Sequence, residues 1–406
     1  MTSTKFIQNK TALITLIAAC LVVLISLGVR QTFGLFFSDF KNDLDISLTE
    51  SGLAVGLQML MWGLSGPIFG AIADKYGGHK AIMLAFVFYI LGIYFLYSGP
   101  NTGIFFQINM GLLIGIGLGG TAISIPMSIV GKHFPLSNRT IAMSLVTAVG
   151  SFGYFISPMY TSYSLINNGW IHTLYIFTIF LVIGLVIAFF VRSPSLSESI
   201  EKPSDQNTMS ALKEAFKTKS YVLLTAGFFV CGFHITLVGT HVPTYVIDRG
   251  LETWTAAAIL SLIGLFNIFG SLFSGYLSTK MKKKVILAAI YALRGISICL
   301  FIFLPASNIN AFIFGASFGF LWLSTVPATS GIVAHMFGTK HLGMLYGIVF
   351  LSHQIGSFFG SFLGGLFHDI YGSYDYAWYL AIALSVFAAI IHLPIKEEAV
   401  LRLKTE

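Results

Sequence analysis

Arg30, His234, His241, Arg294 and His353 are ionisable side chains set inside otherwise apolar stretches. At the centre of a membrane helix such a group costs roughly 2.5–3.5 kcal/mol on insertion scales, so each needs a partner or a water-filled cavity. No Asp or Glu lies well inside those stretches. The cations therefore lack a resident counter-charge, and the chemistry they suggest is anion binding. A guanidinium holds a carboxylate in a two-pronged fork, and histidine adds a group that titrates near neutrality. Gln31, Asn267 and Gln354 stand nearby as hydrogen-bonding candidates, with Tyr154 and Trp322 as aromatic walls. The alternatives are structural: Arg30 snorkelling or capping helix carbonyls, the histidines packing helices, and His353, Gln354 and Asn267 holding glycine-rich helices together.

The elements that position these groups follow from composition. The chain has 406 residues, 56% hydrophobic and only 10% charged, with a mean hydropathy of +0.84. Those values place it outside the soluble globular range. A spanning helix needs about 20 apolar residues. Turn and charge signals divide the sequence into twelve such stretches, near 12–38, 50–72, 80–98, 102–130, 139–160, 168–191, 220–246, 255–278, 284–304, 308–333, 341–366 and 376–395. The runs are too long and too continuous for barrel strands, so the expected fold is an all-α polytopic membrane protein.

The net charge of +7 reports topology. Lys75, Lys80, Lys132, Arg139, Lys280 and Lys282–Lys284 fall on one side of the predicted spans, with Lys41 and Arg249 on the other. The positive-inside rule then puts both termini in the cytoplasm of a multi-pass plasma (inner) membrane protein, and a nucleic-acid partner is not expected. Cys20, Cys231 and Cys299 lie in predicted helices without metal-ligand spacing and read as small buried residues. Ile17-Ala-Ala-Cys20 looks like a lipoprotein cleavage site, but the apolar run continues to Phe37 and reads as an uncleaved helix. The glycines of "GLLIGIGLGG" and "GSFGYFISP" follow no strand and suit close helix packing better than a phosphate loop. No His-Glu-x-x-His, Cys-x-x-Cys or acid–base carboxylate pair is present, so an enzyme reading lacks its residues and no cofactor is expected.

One long polar segment, "RSPSLSESIEKPSDQNTMS", divides the chain into residues 1–191, a linker at 192–219, and residues 220–406. The halves match at an offset of about 204 to 206 residues: Gly70-Ala-Ile-Ala-Asp74-Lys75 with Gly275-Tyr-Leu-Ser-Thr279-Lys280, and Gly28-Val-Arg30 with Gly232-Phe-His234. Internal repeats of this kind mark transporters whose substrate site lies near the midplane between the repeats.

The loop Gly70-Ala-Ile-Ala-Asp74-Lys75-Tyr-Gly77-Gly-His-Lys80 resembles the signature loop of the major facilitator superfamily, and the resemblance extends over essentially the whole chain. It implies two pseudo-symmetric six-helix halves, a monomer, and a cytoplasmic gate. Gly70, Asp74, Lys75, Gly77 and Lys80 would form that gate with Arg139, and Gly275 and Lys280 would be its partial second copy. Because helices one and seven line the cavity in that superfamily, the resemblance implies a cationic wall of Arg30, Gln31, His234 and His241. Within it, "GVRQTFGLFF" and "LFNIFGSLFSGYLSTKM" look like the monocarboxylate and oxalate:formate group. That group usually has an arginine after Asn-x-x-Gly of helix eight; here Asn267-Ile-Phe-Gly270 is followed by Ser271, and Arg294 would either replace the charge or serve the structure.

The leading expectation is a secondary transporter of a small organic anion, proton-coupled or exchanging. An efflux pump for amphipathic compounds and a transporter-like receptor or sensor are the alternatives.

Overall fold

The computed structural model describes residues 10–100, 102–134, 136–192, 208–338 and 341–400, and contains no strand among them. Backbone groups in lipid must be satisfied within the segment that carries them, which leaves helices for runs of this composition. Among the described residues, eleven continuous runs are long and apolar enough to cross a membrane. One of them, Ile141–Ala188, is 48 residues long and turns at Gly169, whose φ of 78° and ψ of 171° are non-helical and suit a residue without a Cβ. It therefore supplies two crossings, giving twelve.

In chain order these are α1 (Lys10–Gln31), α2 (Leu48–Tyr76), α3 (Gly78–Ser98), α4 (Gly103–His133), α5 (136–168) and α6 (170–188). After them come α7 (Lys219–Asp248), α8 (Thr253–Leu277), α9 (Lys283–Phe303), α10 (Asn308–Phe337), α11 (Leu342–Tyr371) and α12 (Asp375–His392). Residues 193–207 of the expected linker lie outside the described residues, and Thr208–Lys217 of that segment is a short helix.

Three elements depart from the simple spans. The first run leaves the α-helix after Gln31, tightens into a 3₁₀ turn at Phe33–Phe36, and resumes as Phe37–Leu44. α4 contains a π-helical turn at Gln107–Leu113 and breaks between Thr121 and Ser124. α10 breaks between Leu321 and Thr325. Both breaks just precede a proline, Pro126 or Pro327. Proline has no N–H to donate and its ring clashes with the carbonyl four residues back, so the ladder parts at those places.

α1 packs on α5, α7 on α11, α4 on α2 and α3, and α9 on α12. Across the middle, α2 meets α11 and α5 meets α8. The α7–α11 contact is glycine-cut: a Cβ on Gly232, Gly356 or Gly360 would overlap the backbone of the other helix. The α2–α11 seam is tight from the Thr49 end to mid-membrane. Gly52 lies against Ser361, Gly63 against Gln354, and Gly365 against the Leu48 carbonyl. Toward the Lys75 end it opens, where Gly343 and Gly347 of α11 and Gly275 of α8 have no neighbour within 4 Å of a Cβ position. The bundle is therefore closed on the face opposite its lysine-rich loops.

Candidate functional site

Arg30 is the penultimate residue of α1, just before the 3₁₀ turn, and is half-buried. Its Nη2 donates to Met59 Sδ at 3.2 Å and its Nη1 to Gln31 Oε1 at 3.4 Å. The guanidinium carbon sits 5.8 Å from the Trp62 ring centroid, and the Tyr154 hydroxyl of α5 interacts with the same group. None of these partners is anionic. Methionine, tryptophan and tyrosine orient a cation without neutralising it, so the charge remains available to a ligand.

From Arg30 the site extends across the seam through aromatic contacts. Trp62 meets Phe350 of α11 edge-on at 6.1 Å, and Phe350 stacks on His353 at 5.5 Å and 9°. His353 Nδ1 pairs with Gln354 Oε1 at 3.2 Å. The amide nitrogens of Gln31 and Gln354 are both buried without a partner. Two unpaired donors near an uncompensated guanidinium suit an acceptor-rich guest, because a buried donor left unpaired costs roughly 1–3 kcal/mol.

The other expected site residues are placed elsewhere. His234, at the register of Arg30 in the second half, is fully buried and turns toward α12, with Nε2 2.8 Å from the Ala381 carbonyl and 3.4 Å from Ser385 Oγ. His241 sits at the closed end, with Nε2 2.6 Å from the Ser361 carbonyl, Nδ1 3.3 Å from Tyr374 Oη, and Phe37 edge-on to its ring. The expected wall of Arg30, Gln31, His234 and His241 is thus divided: the first two face the seam, and the histidines hold helices. Asn267 is fully buried; its Nδ2 donates to Ser151 of α5 at 3.0 Å, and its Oδ1 accepts from the Leu323 N–H at 3.0 Å. Trp322 is buried against Phe318 and Gly239 rather than lining a wall.

Arg294 is completely enclosed. Its Nε and Nη2 donate to the Leu321 carbonyl at 3.2 and 2.7 Å, and Nη2 also donates to the Trp322 carbonyl. These are the carbonyls freed where α10 breaks. They form a helix C-terminus, which carries partial negative charge and favours a cation. Arg294 therefore acts as a tertiary cap, and no contact links it to Ser271.

At the lysine-rich end, Asp74 Oδ1 pairs with Lys132 Nζ at 2.8 Å. The expected partner Arg139 instead extends its stem toward Gly131. Lys75 lies 5.1 Å from the Tyr76 ring, Lys80 and Lys280 are exposed, and Gly77 supplies a φ of 96° for the turn into α3. Met59, Trp62, Phe350 and Lys132 are contributors that sequence reasoning missed. Trp62 carries a readable signal, three residues after Met59 on one helix face.

At the closed end, Asp369 of α11 reaches the start of α2. Its Oδ2 accepts the Thr49 N–H at 2.7 Å and the Thr49 hydroxyl at 2.5 Å. A carboxylate at a helix N-terminus is favourable, and this one comes from the other side of the seam.

Comparison with known proteins agrees with this architecture. The family model for the Major Facilitator Superfamily matches residues 19–326. Monocarboxylate transporter 13 of Rattus norvegicus is 23% identical over 87% of this chain and 82% of its own. The oxalate:formate antiporter of Oxalobacter formigenes is 23% identical over 88% and 85%. Among solved structures, a bacterial homologue of the human lysosomal transporter Spinster, in an inward-facing and unoccupied conformation, superposes with a TM-score of 0.77 at 14% identity, covering 95% of this chain and 97% of that one. Membrane spans, fold and family agree, and the chain belongs to the major facilitator superfamily of membrane transporters.

Proposed function

We propose that this protein is a secondary transporter of a small organic anion, of the monocarboxylate class, and that Arg30 binds the carboxylate. The observation that carries this reading is the contrast between Arg30 and Arg294. Arg294 is enclosed by backbone carbonyls, whereas Arg30 is half-exposed at the seam beside neutral partners. The names of the relatives, a monocarboxylate transporter and an oxalate:formate antiporter, support the substrate class.

In this reading the carboxylate lies on the Arg30 fork, Gln31 and Gln354 donate to it from either side of the seam, and Trp62 and Phe350 cover its apolar part. Lysine distribution assigns the open face to the cytoplasm, so the closed α2–α11 seam is the outer gate of an inward-facing state. Alternating access then requires Asp369 to leave the α2 N-terminus while the opposite ends approach. The coupling is to a proton or to a counter-moving anion.

The test is uptake of acetate, lactate and formate into proteoliposomes. Arg30→Gln is expected to lower uptake about 100-fold, the value of a charge-assisted contact of roughly 3 kcal/mol, while Arg30→Lys retains a fraction. Undiminished uptake by Arg30→Gln would reject the assignment and favour a carrier of amphipathic compounds along the Trp62–Phe350 surface.

A further inference from the structure

Beside the Arg294 cap lies a buried thiol that the transport reading does not use. Cys231 of α7 is fully enclosed, and two hydrogen-bonding side chains meet its sulfur. Arg294 Nη2 is 3.6 Å away and Thr325 Oγ1, at the restart of α10, is 3.2 Å away. The His353 side chain of α11 interacts with the same sulfur, and Tyr291 of α9 lies in the same cluster with its hydroxyl buried and without a hydrogen-bond partner. Tyr346 of α11 is the further titratable group facing it. Of the neighbouring histidines, His234 is turned to the Ala381 carbonyl and His392 stacks on Tyr291 at 5.0 Å. No carboxylate is among these groups.

A guanidinium stays protonated under all ordinary conditions, and a buried charge without compensation is costly even when its hydrogen bonds are partly met. Arg294 Nη1 is buried with no partner, on the same guanidinium whose Nη2 touches the sulfur. A neutral thiol is a weak donor and a weak acceptor, whereas a thiolate is a full anion stabilised by exactly such neighbours as Arg and His. The geometry therefore suits sulfur as an acceptor from several sides.

We propose that Cys231 and Arg294 form an intramembrane ion pair and that the Cys231 sulfur is the proton-binding site of this transporter, connected to the interior by His353. This names the coupling ion in the transport reading above and rests on that reading for the proton's destination. His353 keeps 8% exposure while Cys231, Arg294, Thr325 and Tyr291 are fully enclosed, and Tyr346 is the other partly exposed member. With Nδ1 paired to Gln354 Oε1, its Nε2 is the nitrogen left to exchange with the sulfur. In the forward step the S–H bond breaks, its electron pair stays on sulfur, and the proton forms an N–H bond on His353. The imidazolium then gives that proton to water, and no electron changes hands.

Loading the proton has a structural consequence. With Cys231 neutral, Arg294 leans wholly on the Leu321 and Trp322 carbonyls; with Cys231 ionised, it is shared between those carbonyls and the sulfur. The proton thus biases the break in α10, a two-position element of the kind that switching requires.

The experiment needs no substrate in its first arm. In a Cys20→Ala/Cys299→Ala background, ultraviolet thiolate absorbance is followed against pH, with Cys231→Ser as the blank. The expected midpoint lies at or below neutral pH, and Arg294→Gln moves it above the ordinary thiol value of about 8.5. Arg294→Lys, which keeps a cation, holds it below that value and serves if Arg294→Gln does not fold. A parent midpoint at or above the ordinary value would overturn the ion pair. In the second arm, vesicles loaded with a pH dye report protons moved per acetate taken up. The parent and Cys231→Asp are expected to move them, and the ratio falls to zero in Cys231→Ser; an unchanged ratio would overturn the carrier role. Absence of acetate, lactate and formate uptake in the parent counts against the Arg30 reading, and the absorbance arm still decides the Cys231–Arg294 pair.

Discussion

The breaks in α4 and α10 occupy matching places in the two halves of the sequence, each just ahead of a proline, yet they are held by different chemistry. At α4 the fixing is neutral: Thr121 Oγ1 is 2.7 Å from Ser26 Oγ of α1. At α10 a buried guanidinium takes the freed carbonyls, and Asn267 takes the Leu323 N–H. The difference teaches that equivalent backbone geometry does not imply equivalent side-chain roles. The α1 cation, Arg30, meets only neutral partners, while the α9 cation holds the backbone.

Removing each fixing separates the two cases. Arg294→Gln should cost about 3 kcal/mol or more, because it leaves buried carbonyls without donors and removes a buried charge from its partners. Thermal unfolding in detergent should show this as the largest loss among the variants considered. Arg30→Gln, by contrast, should leave the melting temperature nearly unchanged while uptake collapses. A variant pair with the opposite pattern would exchange the roles assigned to the two arginines. Asn267→Ala comes next, at about 2 kcal/mol, because two buried hydrogen bonds tie α8 to α5 and to the α10 break. Thr121→Val at the α4 break should cost only about 1 kcal/mol, the value of one neutral bond.

How much of this was legible in the sequence differs by level. The spans, the family resemblance and Arg30 as a cation in an apolar helix follow from run length, charge distribution and the cost of burying charge. The rotational phase about each helix does not. Gly28-Val-Arg30 and Gly232-Phe-His234 share a sequence register, but Arg30 lies in the last turn of its helix beside a 3₁₀ turn while His234 lies inside the continuous α7, so the two side chains leave in different directions. Pro126 and Pro327 signalled the breaks in α4 and α10. What fills each break is set by which neighbour arrives there, and nothing local to Leu321 announces Arg294. The resemblance singles out Asp74, but its ion-pair partner Lys132 was not legible, because the choice between Lys132 and Arg139 depends on how the end of α4 packs.

The smallest effects compare the two faces of the bundle. Asp369 joins helices from opposite sides of the seam, whereas Asp74 and Lys132 both belong to the first six helices. Asp369→Asn removes a charge from the α2 N-terminus, worth about 0.5–1 kcal/mol. The expected readout is local: faster hydrogen exchange at the Thr49 amide and greater accessibility of the closed face. Asp74→Asn acts on a pair whose side chains are 70% and 51% exposed for Asp74 and Lys132. Exposed pairs contribute between nothing and about 1 kcal/mol and are screened by salt. In the closed-face state Asp74→Asn should therefore change stability by less than about 0.5 kcal/mol. That small difference should vanish in about 1 M salt, where the screening length falls to roughly 3 Å. Exchange at Thr49 should stay as in the parent, because Asp74 lies at the opposite end of α2 and its ion pair is with Lys132 of α4, not with Asp369. A faster Thr49 amide in Asp74→Asn would show that the two faces are coupled within this state, and the Asp74–Lys132 pair would then belong to the same gate as Asp369.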